Sequence, residues 1–117
     1  LTQRCDSRRV IDSSCIMTIP KLMAILEKAA CCISLDTGPA HVAAAVDCPL
    51  IVLFGGTYPG RTAPGSRGSA VEIVSGPENA PETRTEKEWL ACHSMLEIRP
   101  GLVFNAFQRI MSAHLDG

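Results

Sequence analysis

Two polar turns, each directly after an apolar stretch, hold the residues of this chain that could do chemistry. The first turn is Asp36-Thr37-Gly38-Pro39-Ala40-His41, and the second is Gly55-Gly56-Thr57 with Arg61 shortly after it. Small residues follow the first turn as far as Ala45, which is typical of a helix that begins there. A helix start offers unpaired backbone N–H groups and the positive end of the helix dipole, so it binds anions. The first turn therefore predicts a site for the phosphates of a nucleotide.

The start of this helix is expected to supply most of the donors. Pro39 suits the first helical position, where its missing N–H costs nothing. We expect the N–H groups of Ala40, His41 and Val42 to point outward, toward the anion. The ring of His41 can donate to a phosphate oxygen or bring positive charge to it. An ordinary polar surface residue is the alternative interpretation of this histidine.

The remaining polar residues shape the two turns. Gly38 lets a ligand approach the backbone closely, and the hydroxyl of Thr37 is a further donor. The carboxylate of Asp36 would repel a phosphate, so we expect it to accept hydrogen bonds from loop amides and hold the turn. Contact through a metal is the alternative, although the sequence has no second carboxylate at metal spacing. The second turn adds the hydroxyl of Thr57 and the guanidinium of Arg61.

Alternating apolar segments predict the elements that position these turns. Strands are expected at Arg9–Asp12, Cys31–Leu35, Leu50–Phe54 and Ala70–Val74, and helices at Ile19–Ala30, Pro39–Val46, Glu86–Met95 and from Leu102 to Leu115. The second and third of these strands are almost wholly apolar, which indicates strands buried on both faces of a parallel sheet. The order predicts an α/β fold with three αβα layers. Ligands bind outside the carboxyl ends of such strands, so both turns should meet at one edge.

Length and charge exclude several classes of protein. The chain has 117 residues, enough for a single domain over residues 1–117, and a net charge of −1. This charge excludes the basic surface that a nucleic-acid partner needs. No apolar run approaches the roughly 20 residues of a membrane span. The chain begins at Leu1 without Met, so we expect it to be a piece of a longer protein.

The six cysteines show no C-x-x-C spacing and suggest a reducing compartment. We interpret them as small buried hydrophobic residues of a cytoplasmic protein. Cys31 and Cys32 are adjacent on a strand, so they should point to opposite faces. A zinc site at Cys92 and His93 would lack a second pair of ligands at the usual spacing.

The segments D-T-G-P-A-H-V-A-A-A and P-L-I-V-L-F-G-G-T-Y-P-G-R-T-A-P-G, with the spacing between them, resemble glycosyltransferase family 9, the ADP-heptose:lipopolysaccharide heptosyltransferases. The resemblance covers Ile19 to Gly65, with weaker similarity from Cys92 to Val103. It implies a Rossmann-like sheet, namely the C-terminal, donor-binding half of a GT-B enzyme. The two turns and the resemblance together predict the donor-binding residues. These are Asp36, Thr37, Gly38, Pro39, His41, Gly55, Gly56, Thr57 and Arg61.

In the complete enzyme, the resemblance implies inverting transfer of heptose from an ADP-sugar to the lipopolysaccharide core, with no metal or other cofactor required. The catalytic carboxylate and the lysine-containing phosphate turn belong to parts that precede Leu1. We therefore expect no catalytic residue in this chain and no activity from it alone. The resemblance also implies a cytoplasmic enzyme, peripherally associated with the inner face of the inner membrane. An exposed inter-domain face would allow the chain to dimerise.

Two other functions fit the same residues. A non-catalytic nucleotide-binding or assembly module would keep the fold without the transfer. An enzyme of another GT-B family, either a transferase for a different sugar or a nucleotide-sugar epimerase, would use a similar site. The segment from Thr57 to Pro64 favours family 9 over the latter group.

Overall fold

The described part of the chain is built on a three-stranded parallel sheet with the order β1-β2-β3. The computed structural model describes residues 8–55, 58–59 and 70–116. Its elements are α1 (Ile19–Lys28), β1 (Cys32–Leu35), α2 (Gly38–Ala45), β2 (Leu50–Phe54), β3 (Val71–Ser75), α3 (Glu86–Cys92), a 3₁₀ turn (Met95–Glu97) and α4 (Pro100–Asp116). The predicted α/β class is confirmed.

The register of the strands brings the two polar turns together. Leu35, the last residue of β1, pairs with Leu53, and Phe54 at the end of β2 pairs with Ser75. The carboxyl ends of all three strands are therefore level. Neighbouring strands lie about 4.8 Å apart. The prediction that the turns after β1 and β2 share one edge of the sheet is confirmed.

The strand β2 separates two apolar layers. On one face, α2 packs on the sheet and α1 packs against α2, and on the other face α4 packs on β2 and β3. The first layer contains Leu26, Ala40, Ala43, Ala44, Cys48, Leu50, Val52 and Phe54. The second layer contains Ile51, Val74, Ala106 and Ile110. Successive residues of β2 enter opposite layers, which confirms the predicted strand buried on both faces and the three-layer arrangement.

Burial on both faces was also predicted for the strand at Cys31–Leu35, and there the prediction is wrong. Ile33 is 54% exposed and Leu35 is 51% exposed. The helix α4 packs on β2 and β3, so it leaves most of this face of β1 uncovered. An apolar strand sequence shows that both faces of the strand can be buried, but the packing of the neighbouring helices determines which faces are buried.

The predicted strand at Arg9–Asp12 is absent from the structure, which has irregular backbone there. The carboxylate of Asp12 accepts hydrogen bonds from the hydroxyl of Ser14 at 2.7 Å and from its amide at 3.0 Å. These two bonds lower the pKa of Asp12. Local bonds of this kind offer the backbone an alternative to a sheet. The prediction of a strand missed this competing turn.

The helices α1 and α3 begin at the predicted residues, each after a capping threonine, and end earlier than expected. Thr18 caps α1, and its hydroxyl accepts from the amide of Lys21 at 3.4 Å. Thr85 caps α3 in the same way, accepting from the amide of Glu88 at 3.2 Å. The single helix predicted over Glu86–Met95 is interrupted after Cys92. There Ser94 caps the 3₁₀ turn, accepting from the amide of Leu96 at 3.2 Å.

Within the described ranges, no helix combines the length and the apolar character needed to cross a membrane.

The cysteines behave largely as small apolar residues. Cys31 and Cys32 pack against opposite layers, which confirms their predicted orientation. Cys48 is buried, as expected. Cys15 is an exposed free thiol, so the prediction of burial is wrong at that position. Cys5 lies outside the described residues.

We expect the protein to lose stability at alkaline pH because of three thiols at the amino end of the sheet, those of Cys31, Cys32 and Cys48. Burial, with a smaller contribution from the Cys48 and Cys32 thiols, raises the pKa of Cys31 from its ordinary 9.0 to about 11. Burial also raises the pKa of Cys32 and of Cys48. Because the unfolded chain releases these protons first, this contribution to the free energy of unfolding is complete below pH 9 and falls as the pH rises through 11.

Urea unfolding followed across this alkaline range measures the effect. Cys31→Ala should flatten the decline, because it removes the most strongly shifted of these thiols. Cys15→Ala, at an exposed thiol, is the matched control and should keep the wild-type pH dependence. An identical decline in Cys31→Ala and in the wild type would show that other groups cause it.

Candidate anion-binding site at the β1–α2 turn

The turn between β1 and α2 reverses the chain within two residues. After Leu35 the backbone passes through Asp36 and Thr37 and enters the helix at Gly38. The amide of Thr37 donates to the carbonyl of Leu35 at 2.9 Å, and the Thr37 hydroxyl makes a long contact of 3.5 Å to the same carbonyl. Thr37 has extended backbone angles (φ −142°, ψ 178°) and is the N-cap of α2. Its side chain makes no capping bond to the helix, so its hydroxyl can turn toward a ligand.

The amides of the first helical turn differ from the prediction. The amide of Ala40 donates to the carbonyl of Thr37 at 3.0 Å instead of pointing outward. The helix begins at Gly38, one residue earlier than predicted, so the amide of Val42 is four residues into the helix and falls within its i→i−4 ladder. Pro39 has no N–H. The amide of Gly38, an exposed residue, and the Thr37 hydroxyl are donors available to an external anion.

The side chains of the turn leave room for a ligand. His41 and Pro39 are exposed, and a methyl group built on Gly38 would meet no atom within 4 Å. The prediction that His41 is exposed is thus confirmed. Asp36 is partly buried and interacts with another group of the protein. The turn offers an open surface with an amide, a hydroxyl and an imidazole at the positive end of α2.

The inner face of α2 and its C-terminus fix the direction of the helix. Ala40 and Ala43 are 0% exposed against the sheet. The helix ends at Ala45, and the chain leaves it through Asp47, which has a left-handed backbone (φ 58°). The amide of Asp47 donates to Ala44 at 3.1 Å, and the amide of Cys48 donates to Ala43 at 2.9 Å. These bonds satisfy carbonyls that a helix end otherwise leaves unpaired.

Of the second turn, Gly55-Gly56-Thr57, the structure describes only Gly55. Gly55 is buried, and a methyl group added to it would lie 2.7 Å from the Cα of Met95 and closer still to the Met95 amide nitrogen. Its missing side chain therefore serves the packing of the 3₁₀ turn against β2. The predicted site residues Gly56, Thr57 and Arg61 lie outside the described residues, so their roles stay predictions.

Comparison with known proteins agrees with this geometry. The model of a family described as glycosyltransferase family 9 (heptosyltransferase) matches residues 14–93, which is more than half of the chain and includes both turns. This chain belongs to glycosyltransferase family 9. The resemblance seen in the sequence is confirmed.

Two curated relatives of the family 9 chain support the assignment. Lipopolysaccharide heptosyltransferase 3 of Escherichia coli is 42% identical over 57 residues, which are 49% of this chain and 17% of the relative. Lipopolysaccharide heptosyltransferase 1 of Pseudomonas aeruginosa is 41% identical over 46 residues, which are 39% of this chain and 13% of the relative. The matches thus span less than a fifth of each relative's length. No solved structure matches the chain.

The family 9 match ends beside an aromatic cluster that the sequence reasoning missed. The rings of Trp89 and His93 stack with centroids 3.6 Å apart and planes 9° from parallel. Tyr58, just after the second turn, lies 6.1 Å from Trp89 between ring centroids. The Trp89 indole nitrogen is buried with no hydrogen-bond partner in the described part of the chain. The i, i+4 spacing of Trp89 and His93 on a predicted helix was the available signal.

In the described ranges of this family 9 chain, no three histidine, cysteine or acidic side chains lie together as metal ligands would.

Proposed function

We propose that this family 9 chain is the donor-binding domain of a GT-B glycosyltransferase that transfers heptose from ADP-heptose to the lipopolysaccharide core. The open β1–α2 turn carries the proposal, because it gathers the Gly38 amide, the Thr37 hydroxyl and the exposed His41 at the start of α2. The lipopolysaccharide heptosyltransferase names of both relatives support the sugar and the acceptor.

The chemistry required of this domain is electrostatic. Transfer breaks the bond between the anomeric carbon and a diphosphate oxygen, so negative charge grows on the leaving ADP. A helix N-terminus and fixed hydrogen-bond donors aimed at that charge lower the barrier. In this proposal the Gly38 amide, the Thr37 hydroxyl and His41 are those donors. The acceptor hydroxyl attacks the opposite face with inversion and loses its proton to a carboxylate outside this chain.

The proposal extends to the setting of the enzyme. We place it at the cytoplasmic face of the inner membrane, in peripheral contact, with the nucleotide sugar as the one small molecule required. The exposed apolar side chains Ile33, Leu35 and Phe104 support a contact with another domain, or with a second copy of the isolated chain.

Calorimetry on the full-length protein tests the proposal. ADP and ADP-heptose should both bind, since the diphosphate is common to them. If neither ADP nor ADP-heptose gives a heat of binding at millimolar concentration, the proposed function is contradicted. A panel of nucleotide sugars in a thermal-shift assay checks the sugar class: greater stabilisation by a UDP-sugar would replace ADP-heptose with the donor of another GT-B family.

A further inference from the structure

A separate cavity of about 360 Å³ lies beside β3, two strands away from β1. Polar side chains from four parts of the chain line it: Ser75, Glu78, His93, Asn105 and Arg109. Val74 and Leu102 add apolar surface. The cavity shares no residue with the β1–α2 turn, so it needs an explanation of its own.

The charges at this cavity disfavour an anionic ligand. Arg109 donates to the Glu72 carboxylate through Nε at 3.2 Å and through Nη2 at 3.1 Å. This paired arrangement neutralises the guanidinium while Nη1 stays available to donate. Glu78 contributes a further negative charge. A phosphate or carboxylate would meet no excess of positive charge here.

The hydrogen-bonding groups are instead mixed. His93 Nδ1 lies 3.0 Å from the backbone carbonyl of Trp89. A carbonyl only accepts, so Nδ1 carries the hydrogen and Nε2 is the acceptor of the neutral ring. Stacking on Trp89 holds the ring in this position. Asn105 and Ser75 can both donate and accept. The cavity therefore presents both donors and acceptors beside apolar carbon, and the His93 ring and the Arg109 guanidinium are held in place by their own contacts.

We propose that this cavity binds a neutral saccharide unit. Each hydroxyl of a sugar can both donate and accept hydrogen bonds, which matches the mixed donors and acceptors of the lining. The C–H face of a sugar ring can lie on Val74 and Leu102. The volume is near the lower end of small-molecule sites, which suits a single ring better than an extended chain. The proposal does not rest on the nucleotide site, because it uses none of that site's residues.

Nuclear magnetic resonance titration of the full-length protein tests this site, with D-mannose and D-glucose as probes and inorganic phosphate as the anionic comparison. At least one sugar should shift the Asn105 side-chain amide and the His93 ring in a saturable way, and phosphate should not. Asn105→Ala should weaken sugar binding about tenfold, as expected for the loss of one or two hydrogen bonds. Gln108→Ala removes an exposed amide from the same helix and should bind like the wild type.

Three results would overturn the saccharide site: no saturable shift with either sugar, larger shifts of the same groups with phosphate, or an unchanged sugar affinity in Asn105→Ala. Binding of ADP is measured in the same samples from the chemical shift of the His41 ring. Failure of one site is therefore distinguishable from failure of the other.

Discussion

Gly55→Ala is expected to lower the free energy of unfolding by about 1–3 kcal/mol. The added methyl group would collide with the backbone of Met95, which cannot rotate away as a flexible side chain could. Relief requires the 3₁₀ turn to move away from the end of β2. The adjacent residue Phe54 is 0% exposed, so the displacement would disturb the core. Urea denaturation of the two proteins measures the difference.

Gly38→Ala is the matched control for this substitution. A methyl group at Gly38 meets nothing within 4 Å. Its effect on stability should therefore stay within about 0.5 kcal/mol. If Gly55→Ala unfolds at the same urea concentration as Gly38→Ala, the close packing of Met95 on Gly55 is not a feature of the protein in solution.

His41→Ala should weaken ADP binding by about 1–3 kcal/mol, the range for a hydrogen bond to a charged group. This corresponds to a rise in Kd of roughly 5- to 150-fold. The free energy of unfolding should change little, because His41 is exposed. Calorimetry with ADP and urea denaturation together separate the two effects.

His41→Gln is the informative companion variant. It keeps a neutral donor at the helix start and removes the imidazole, so its affinity for ADP should fall between those of His41→Ala and the wild type. Wild-type affinity in His41→Ala would remove this residue from the site. Failure of His41→Ala to fold would show that the ring has a structural role instead.

The apolar pattern of the sequence was sufficient to predict the three strands of the sheet and the edge that holds the candidate site. Leu50–Phe54 forms a strand with the predicted bounds, because five apolar residues in a row can be buried only between two layers. Thr18 caps α1, and a threonine followed two residues later by Pro20 is a helix-start signal that the sequence itself contains. The turn after β1 follows from the change of apolar strand residues to small helical ones.

Other features depend on contacts that a linear pattern does not contain. The exposed face of Ile33 reflects where α4 packs, and the irregular backbone at Asp12 reflects bonds from Ser14. The available donors of the site changed because α2 starts one residue earlier than Pro39 indicated. The cavity beside β3 is lined by Arg109, whose guanidinium pairs with Glu72, a residue 37 positions away in the chain.

The buried face of α2 consists of alanines, and this has a consequence for the entropy of binding. Ala40, Ala43 and Ala44 have no side-chain torsions, so neither folding nor ligand binding has to freeze a side-chain rotamer at these positions of the helix. The axis of the helix, and with it the position of the Gly38 amide, is already set in the free protein. An anion that arrives there encounters a preorganised backbone, and among the described residues of the turn the ring of His41 and the hydroxyl of Thr37 are the side-chain groups that binding would have to order.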